Sequence, residues 1–189
     1  SFVVENKQIA RNGRPGNFVT VRADINSERI PLVVADSDKK QGTLTLVVQE
    51  AGLSSTKFCQ LGKEDKILDV VGPLGTPYPI SKVGTVVCIG GGVGTVALVP
   101  VAKAMKNAGN RVVSVAAAPT KTRLVMSEEM REASDELIVM TDDGSEGKQG
   151  LAVDALNEIL AKEQADRIVT VGSGAMMESV CKVAKENNI

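Results

Sequence analysis

The segment Cys88-Ile89-Gly90-Gly91-Gly92-Val93-Gly94 sets four glycines within five positions, between an apolar run and a stretch of helical spacing. Glycine lets a backbone approach a phosphate closely, and the free amides at a helix start attract an anion. A tight strand-to-helix turn without a ligand is the plainer reading, but it needs fewer glycines. The loop therefore points to nucleotide binding. Its spacing is not G-x-G-x-x-G, and no acidic residue near Ala118 is placed to hold a ribose.

Two further loops are expected at strand C-terminal ends, where ligands of open α/β sheets gather. One is Thr141-Asp142-Asp143-Gly144-Ser145; the other is Gly172-Ser173-Gly174-Ala175-Met176-Met177. Asp142 and Asp143 could form a metal pair, although adjacent carboxylates in a Gly-Ser turn more often bond within the turn. Met176 and Met177 read first as helix core. In the first half, Arg29-Ile30-Pro31-Leu32 opens a strand, and Gly52-Leu53-Ser54-Ser55-Thr56 follows another. An arginine with small hydroxyl residues can bind a pyrophosphate; taken singly, these are a solvent-facing Arg and a polar turn.

The elements that must carry these loops change character near Pro79–Gly84. Before it come short strand-like runs, at Asn17–Ala23, Ile30–Ala35, Thr43–Gln49 and Lys66–Val71. Turn chemistry separates them, at Arg14-Pro15-Gly16, Asp36–Gly42 and Gly72-Pro73-Leu74-Gly75. Many short strands with few helices predict a small antiparallel β-barrel or sandwich. After it, strands at Thr85–Ile89, Arg111–Ala118, Leu137–Thr141 and Arg167–Val171 alternate with helices at Thr95–Ala108, Ser127–Ala133, Val153–Lys162 and Ala175–Glu186. Four strand–helix units in a row predict an open, mostly parallel α/β sheet.

The 189 residues carry 22 Lys+Arg against 23 Asp+Glu, a net charge of -1 that argues against a nucleic-acid surface. There is no His, which removes Ser–His and Cys–His machinery and any His-based metal site. Cys59, Cys88 and Cys181 are too scattered for a zinc site or a disulfide framework, and suggest a reduced, cytoplasmic setting. No apolar run is long enough to span a membrane. The abrupt ends at Ser1 and Ile189 suggest a fragment.

Taken together, the runs Arg14–Val19, Arg29–Leu32, Val71–Gly75, Gly90–Gly94, Thr141–Ser145 and Gly172–Met177 resemble the ferredoxin–NADP reductase superfamily, over almost the whole chain and in the expected order. The nearest likeness is to its small electron-transfer subunits, those of NADH-dependent ferredoxin–NADP oxidoreductase, also known as a sulfide dehydrogenase subunit, and of dihydroorotate dehydrogenase. The resemblance implies a flavin-binding β-barrel over residues 1–80, its first strand lying before Ser1. A nicotinamide-nucleotide-binding α/β domain would follow over 81–189. It implies FAD lined by Arg29, Ile30, Pro31, Leu32 and Val33, with Gly52, Ser54, Ser55 and Thr56 at the pyrophosphate and Gly72, Pro73, Leu74 and Gly75 at the junction. NAD(P) would be held by Gly90, Gly91, Gly92, Val93, Gly94 and Thr95, by Thr141, Asp142, Asp143 and Gly144, and by Gly172 and Met176.

The activity implied is hydride transfer between NAD(P)H and FAD, with no catalytic side chain. Electrons would leave to an iron–sulfur centre or ferredoxin within a larger, glutamate-synthase-like flavoprotein partner. Relatives carry a [2Fe–2S] cysteine cluster beyond the position of Ile189, a motif absent here. The sequence also departs from the family at Val33, where a hydroxyl residue is usual, at Ala97, usually Pro, and at Pro119, often Arg. Lys121 and Arg123 stand close enough to replace that Arg. These departures suit an alternative, a non-catalytic nucleotide-binding module that kept the fold.

Overall fold

The computed structural model describes all 189 residues, in two compact units, Ser1–Tyr78 and Pro79–Ile189. The first unit is a five-stranded antiparallel sheet with two short helices. Its elements are β1 (Phe2–Glu5), α1 (Lys7–Asn12), β2 (Phe18–Arg22), β3 (Ile30–Asp38), β4 (Thr43–Leu46), α2 (Leu53–Cys59) and β5 (Asp69–Leu74). The strand order is β1-β4-β3-β2-β5, and no ladder joins the outer strands, so the sheet forms a half-barrel. Alternation does the sorting: Val19 and Val21 of β2 and Leu44 and Leu46 of β4 are buried while their neighbours are partly exposed.

Both helices of this unit escape the sequence reading, because six or seven residues are too few to show helical periodicity. They are core elements all the same. Ile9 and Ala10 of α1 and Phe58 of α2 complete the half-barrel's interior, with Phe58 edge-on to Phe2 at a centroid distance of 4.9 Å. Gly52–Thr56, predicted as a polar turn, is in fact the start of α2. Strand β3 outruns its predicted end at Ala35, because a one-residue bulge between Val34 and Asp36 lets pairing with β4 resume. Gly72-Pro73-Leu74, predicted as part of a turn, lies in β5. A Cβ at Gly72 would come 2.7 Å from Val19 Cγ1, so a bare backbone is what lets the two strands meet there.

The second unit follows its predicted rhythm closely: β6 (Thr85–Gly91), α3 (Thr95–Asn107), β7 (Arg111–Ala118), α4 (Ser127–Ala133), β8 (Glu136–Thr141), α5 (Ala152–Leu160), β10 (Arg167–Val171) and α6 (Gly174–Glu186). A two-residue β9 (Lys148–Gln149), invisible in the sequence, pairs with the end of β8. All ladders are parallel, in the order β10-β6-β7-β8-β9. Val87, Ile89, Val113, Val115 and Ala117 pack with α5 and α6. Ser114, on the opposite face of β7, bonds Ser134 just after α4. Helices thus cover both faces, as continuous apolar strands require. No helix is long and apolar enough to cross a membrane.

Candidate functional site

In the second unit the two ends of the parallel sheet differ chemically. At the N-terminal ends, strand amides find partners within the chain: Asp166 accepts from the Thr85 amide at 2.7 Å, Asp135 from Val112 at 2.8 Å, and Asn110 from Val83 at 2.6 Å. The Val112 amide, before the Lys106 ammonium, holds the Asp135 carboxyl below its ordinary range. Arg111 bonds Glu163 at 2.8 Å and Glu136 at 3.1 Å on the same side. That end is closed.

The C-terminal ends carry a cleft of about 380 Å³. Gly91 and Gly92 line it at the end of β6, Ala117, Ala118 and Pro119 at the end of β7, and Asp142 after β8; Leu151–Val153 and Ser173, Ala175, Met176 and Ser179 complete it. Of the residues expected at a nucleotide, Gly91, Gly92, Asp142 and Met176 line it. Gly90, Val93, Gly94, Thr95, Thr141, Asp143, Gly144 and Gly172 do not, though all sit at or next to the same strand ends. The apolar wall from β7 and the α5 start was not foreseen. Its one sequence signal was position, at a strand end and a helix start.

The glycine loop also has a different explanation from its count. A Cβ at Gly90 would meet Thr95 Oγ1 at 2.6 Å, one at Gly91 would meet Met176 Sδ at 2.7 Å, and one at Gly94 would run into the Val171 carbonyl. Gly90 and Gly94 are required by packing against backbone, whereas the neighbour of Gly91 is the movable tip of Met176. Gly92, with φ +53° and open space around it, lines the cleft. The 3-10 turn Gly92–Gly94 then leads into the 13-residue α3. Asp143 acts as a turn residue, its carboxylate accepting from the Ser145 amide and hydroxyl at 3.0 and 2.6 Å. The Ser145 hydroxyl is what holds that carboxyl below its ordinary value. Lys121 bonds Glu146 at 2.8 Å, and neither Lys121 nor Arg123 lines the cleft.

The first unit carries its own groove, about 550 Å³, lined by Asn26 and Glu28 before β3, by Ile30, Pro31 and Leu32 of β3, by Val48–Gln49, and by Ala51–Ser55. Ile30, Pro31, Leu32, Gly52, Ser54 and Ser55 are brought together there, while Val33, Thr56, Gly72, Pro73 and Gly75 are not in its lining. The two serines differ. The Ser55 hydroxyl is consumed by its own helix start, accepting from the Ala51 and Gly52 amides and donating to the Gly52 carbonyl. Ser54 accepts from the Glu28 amide at 3.0 Å and keeps its proton to give. Arg29 stands outside the lining and bonds Asp69 through two nitrogens at 3.1 and 2.9 Å. Asp69 also takes Arg22 at 2.8 Å, and these guanidiniums, Arg29 first, hold its carboxyl down. Gly72–Gly75 is fastened instead by buried Asn17, whose amide donates to the Leu74 and Gly75 carbonyls at 3.0 and 3.1 Å.

No family model matches the sequence. Individual proteins do. The chain is 40% identical over 185 residues to a "Dihydroorotate dehydrogenase B (NAD(+)), electron transfer subunit homolog" of Thermotoga maritima, covering 98% of this chain and 65% of that protein. The electron transfer subunit of dihydroorotate dehydrogenase B (NAD(+)) from Bacillus caldolyticus is 34% identical over 149 residues, 76% of this chain and 57% of that protein. The chain thus spans less than two thirds of either relative. Among solved structures, a chain of NADH-dependent reduced ferredoxin-NADP oxidoreductase matches with a TM-score of 0.90 and 39% identity, over 98% of this chain and 66% of that one. The Amycolatopsis cytochrome P450 reductase, at 21% identity and a TM-score of 0.75 over 92% of this chain and 57% of its own, shares the fold. A half-barrel followed by a parallel sheet, with relatives of this closeness over nearly its whole length, gives the chain the ferredoxin reductase-like fold and makes it a homologue of the electron-transfer subunits it matches.

Proposed function

We propose that the chain is an electron-transfer oxidoreductase subunit in which the antiparallel unit binds FAD and the parallel unit binds a nicotinamide nucleotide. The observation that carries this reading is that each unit has one cavity built from residues the sequence marked for that cofactor: Ile30, Pro31, Leu32, Gly52 and Ser54 in the first, Gly91, Gly92, Asp142 and Met176 in the second. The fit is chemically sensible. The first groove joins an apolar wall to a serine with a free hydroxyl proton, beside the half-exposed Arg29 guanidinium that a pyrophosphate can attract. The second offers an apolar slot, with Met176 against the glycine floor, at the strand ends where open α/β sheets bind ligands.

When bound, the two cofactors supply the chemistry, a hydride passing between nicotinamide and flavin. This chain's residues bind and orient them: Ser54 and Arg29 at a phosphate, Pro31 and Leu32 along a ring or ribose, Met176 and Ala117–Pro119 around the nucleotide. Val33, without a hydroxyl, gives the flavin no side-chain hydrogen bond from that position. Electrons would then leave to an iron–sulfur centre or ferredoxin through a larger partner subunit. The name of the Thermotoga maritima relative favours a dihydroorotate dehydrogenase partner, and the structural match at a TM-score of 0.90 favours a ferredoxin–NADP oxidoreductase partner.

Reconstitution of the purified protein with FAD, followed by stopped-flow mixing with NADH or NADPH, tests the reading. The expected result is a yellow protein whose flavin bleaches on mixing. A protein that retains no flavin sinks it, and one that keeps the flavin but reduces it with neither nucleotide is the non-catalytic module.

A further inference from the structure

We infer that Arg22 and Asp69 govern how tightly the groove of the antiparallel unit takes a pyrophosphate, by holding Arg29 in an ion pair that can be exchanged for the ligand. The inference rests on the reading of that groove as the FAD site and adds what sets its grip on the phosphates. Antiparallel register brings the three residues together. Arg22 of β2 lies opposite Asp69 of β5, and Val21 lies opposite Ile30, so Arg29 falls one rung before β3, on the far side of β2 from Asp69. Two strand spacings, roughly 10 Å, separate β3 from β5, and the Arg29 side chain crosses them to reach the carboxylate. That reach takes its guanidinium out of the groove, although Glu28 and Ile30 on either side of it both line the groove.

The carboxylate is oversubscribed. Asp69 Oδ2 accepts from Arg22 Nε at 3.0 Å, from Arg22 Nη2 at 2.8 Å and from Arg29 Nη2 at 2.9 Å, while Oδ1 accepts from Arg29 Nε at 3.1 Å. A carboxylate oxygen offers about two lone-pair sites, so the donors on Oδ2 compete. Two guanidiniums on one carboxylate also leave a surplus positive charge, and they repel each other. Arg29 is the one placed to leave. Its side chain is 51% exposed against 27% for Arg22, and it bonds Asp69 through Nε and Nη2, which leaves its Nη1 end open. On its departure Arg22 keeps both bonds to Oδ2, so Asp69 stays paired. The Ser54 hydroxyl, holding the Glu28 amide at 3.0 Å, ties the start of α2 to the residue before Arg29. A pyrophosphate seated at Ser54 therefore lies next to the surplus cation, and an exposed ion pair is weak enough to give it up.

Flavin fluorescence titration with FAD, paired with thermal melting of each variant, tests this without any nicotinamide nucleotide. Asp69→Asn frees Arg29 and should tighten FAD by about fivefold, the strength of an exposed pair. Arg22→Gln acts in the opposite direction. It leaves Asp69 to Arg29 alone and should weaken FAD by about threefold, although Arg22 does not line the groove. Both effects should vanish in an Arg29→Ala background. Unchanged or weaker FAD binding by Asp69→Asn overturns the inference, as does unchanged or tighter binding by Arg22→Gln. So do effects of the same size without Arg29, which belong to net charge alone. Should Asp69→Asn unfold, the Arg22→Gln arm decides. A wild-type chain that takes up no FAD overturns the reading of the groove and the inference with it, whereas FAD binding that neither substitution alters sinks the inference alone.

Discussion

The cleft of the parallel unit and the β3–α2 groove of the antiparallel unit are built on opposite plans. The cleft of the parallel unit is made by backbone: strand ends, a 3-10 turn and glycines pressed against Thr95, Met176 and Val171, with alanines for walls. The groove of the antiparallel unit is made by side chains: the apolar Ile30, Pro31 and Leu32, a hydroxyl used up in capping, and a second that keeps its proton to give. A cavity of the first kind is specified by what must be absent, since almost any Cβ fills or splits it. A cavity of the second kind is specified by what must be present, and tolerates change wherever a side chain has no task.

The sharpest break of this contrast is Gly94→Val. Its branched side chain would be driven into the Val171 backbone, and we expect a loss of about 3 kcal/mol or more. By calorimetric melting that is a fall of roughly 10 °C for a protein of this size. Gly52→Ala in the other unit is the matched control. Gly52 is extended, at φ 178°, and nothing lies within 4 Å of an added Cβ, so the change should stay within about 0.5 kcal/mol.

Asn17→Ala comes next. It strips donors from the Leu74 and Gly75 carbonyls and an acceptor from the Arg14 amide, and should cost about 2 kcal/mol by urea unfolding. Gly92→Ala is smaller in stability, about 1 kcal/mol from the left-handed backbone alone. Because Gly92 lines the cleft, its loss in ADP affinity should exceed that. A Gly92→Ala variant with wild-type affinity would move the nucleotide away from the loop.

The smallest effect concerns thiols. Burial pushes the Cys88 thiol up to about 12, so it stays protonated and inert well above neutral pH. Iodoacetamide at pH 8 should label exposed Cys181 first and Cys88 only after denaturation, by peptide mass mapping.

Legibility in the sequence followed the same divide. The parallel unit was readable because its strands are nearly continuous apolar runs and α3 repeats its apolar positions over 13 residues. Its cleft was only half readable: Gly91, Gly92, Asp142 and Met176 were marked, whereas Ala117, Leu151 and Val153 carry no chemical signature, and the glycine count overstated the role of Gly90 and Gly94. In the antiparallel unit, α1 and α2 were hidden by brevity. The capture of Arg29 by Asp69, forty positions away, is a tertiary fact that no local pattern encodes.

The pairing of β10 with β6 also bears on how the protein is made. The ribosome releases β6 early and β10 some eighty residues later, yet they are neighbours in the sheet. One edge of β6 therefore stays bare through most of the elongation of this unit, with an apolar strand exposed in the nascent chain. Slowing translation between Arg111 and Arg167 should lengthen that window and raise dependence on holding chaperones, whereas pauses before Thr85 should leave it unchanged.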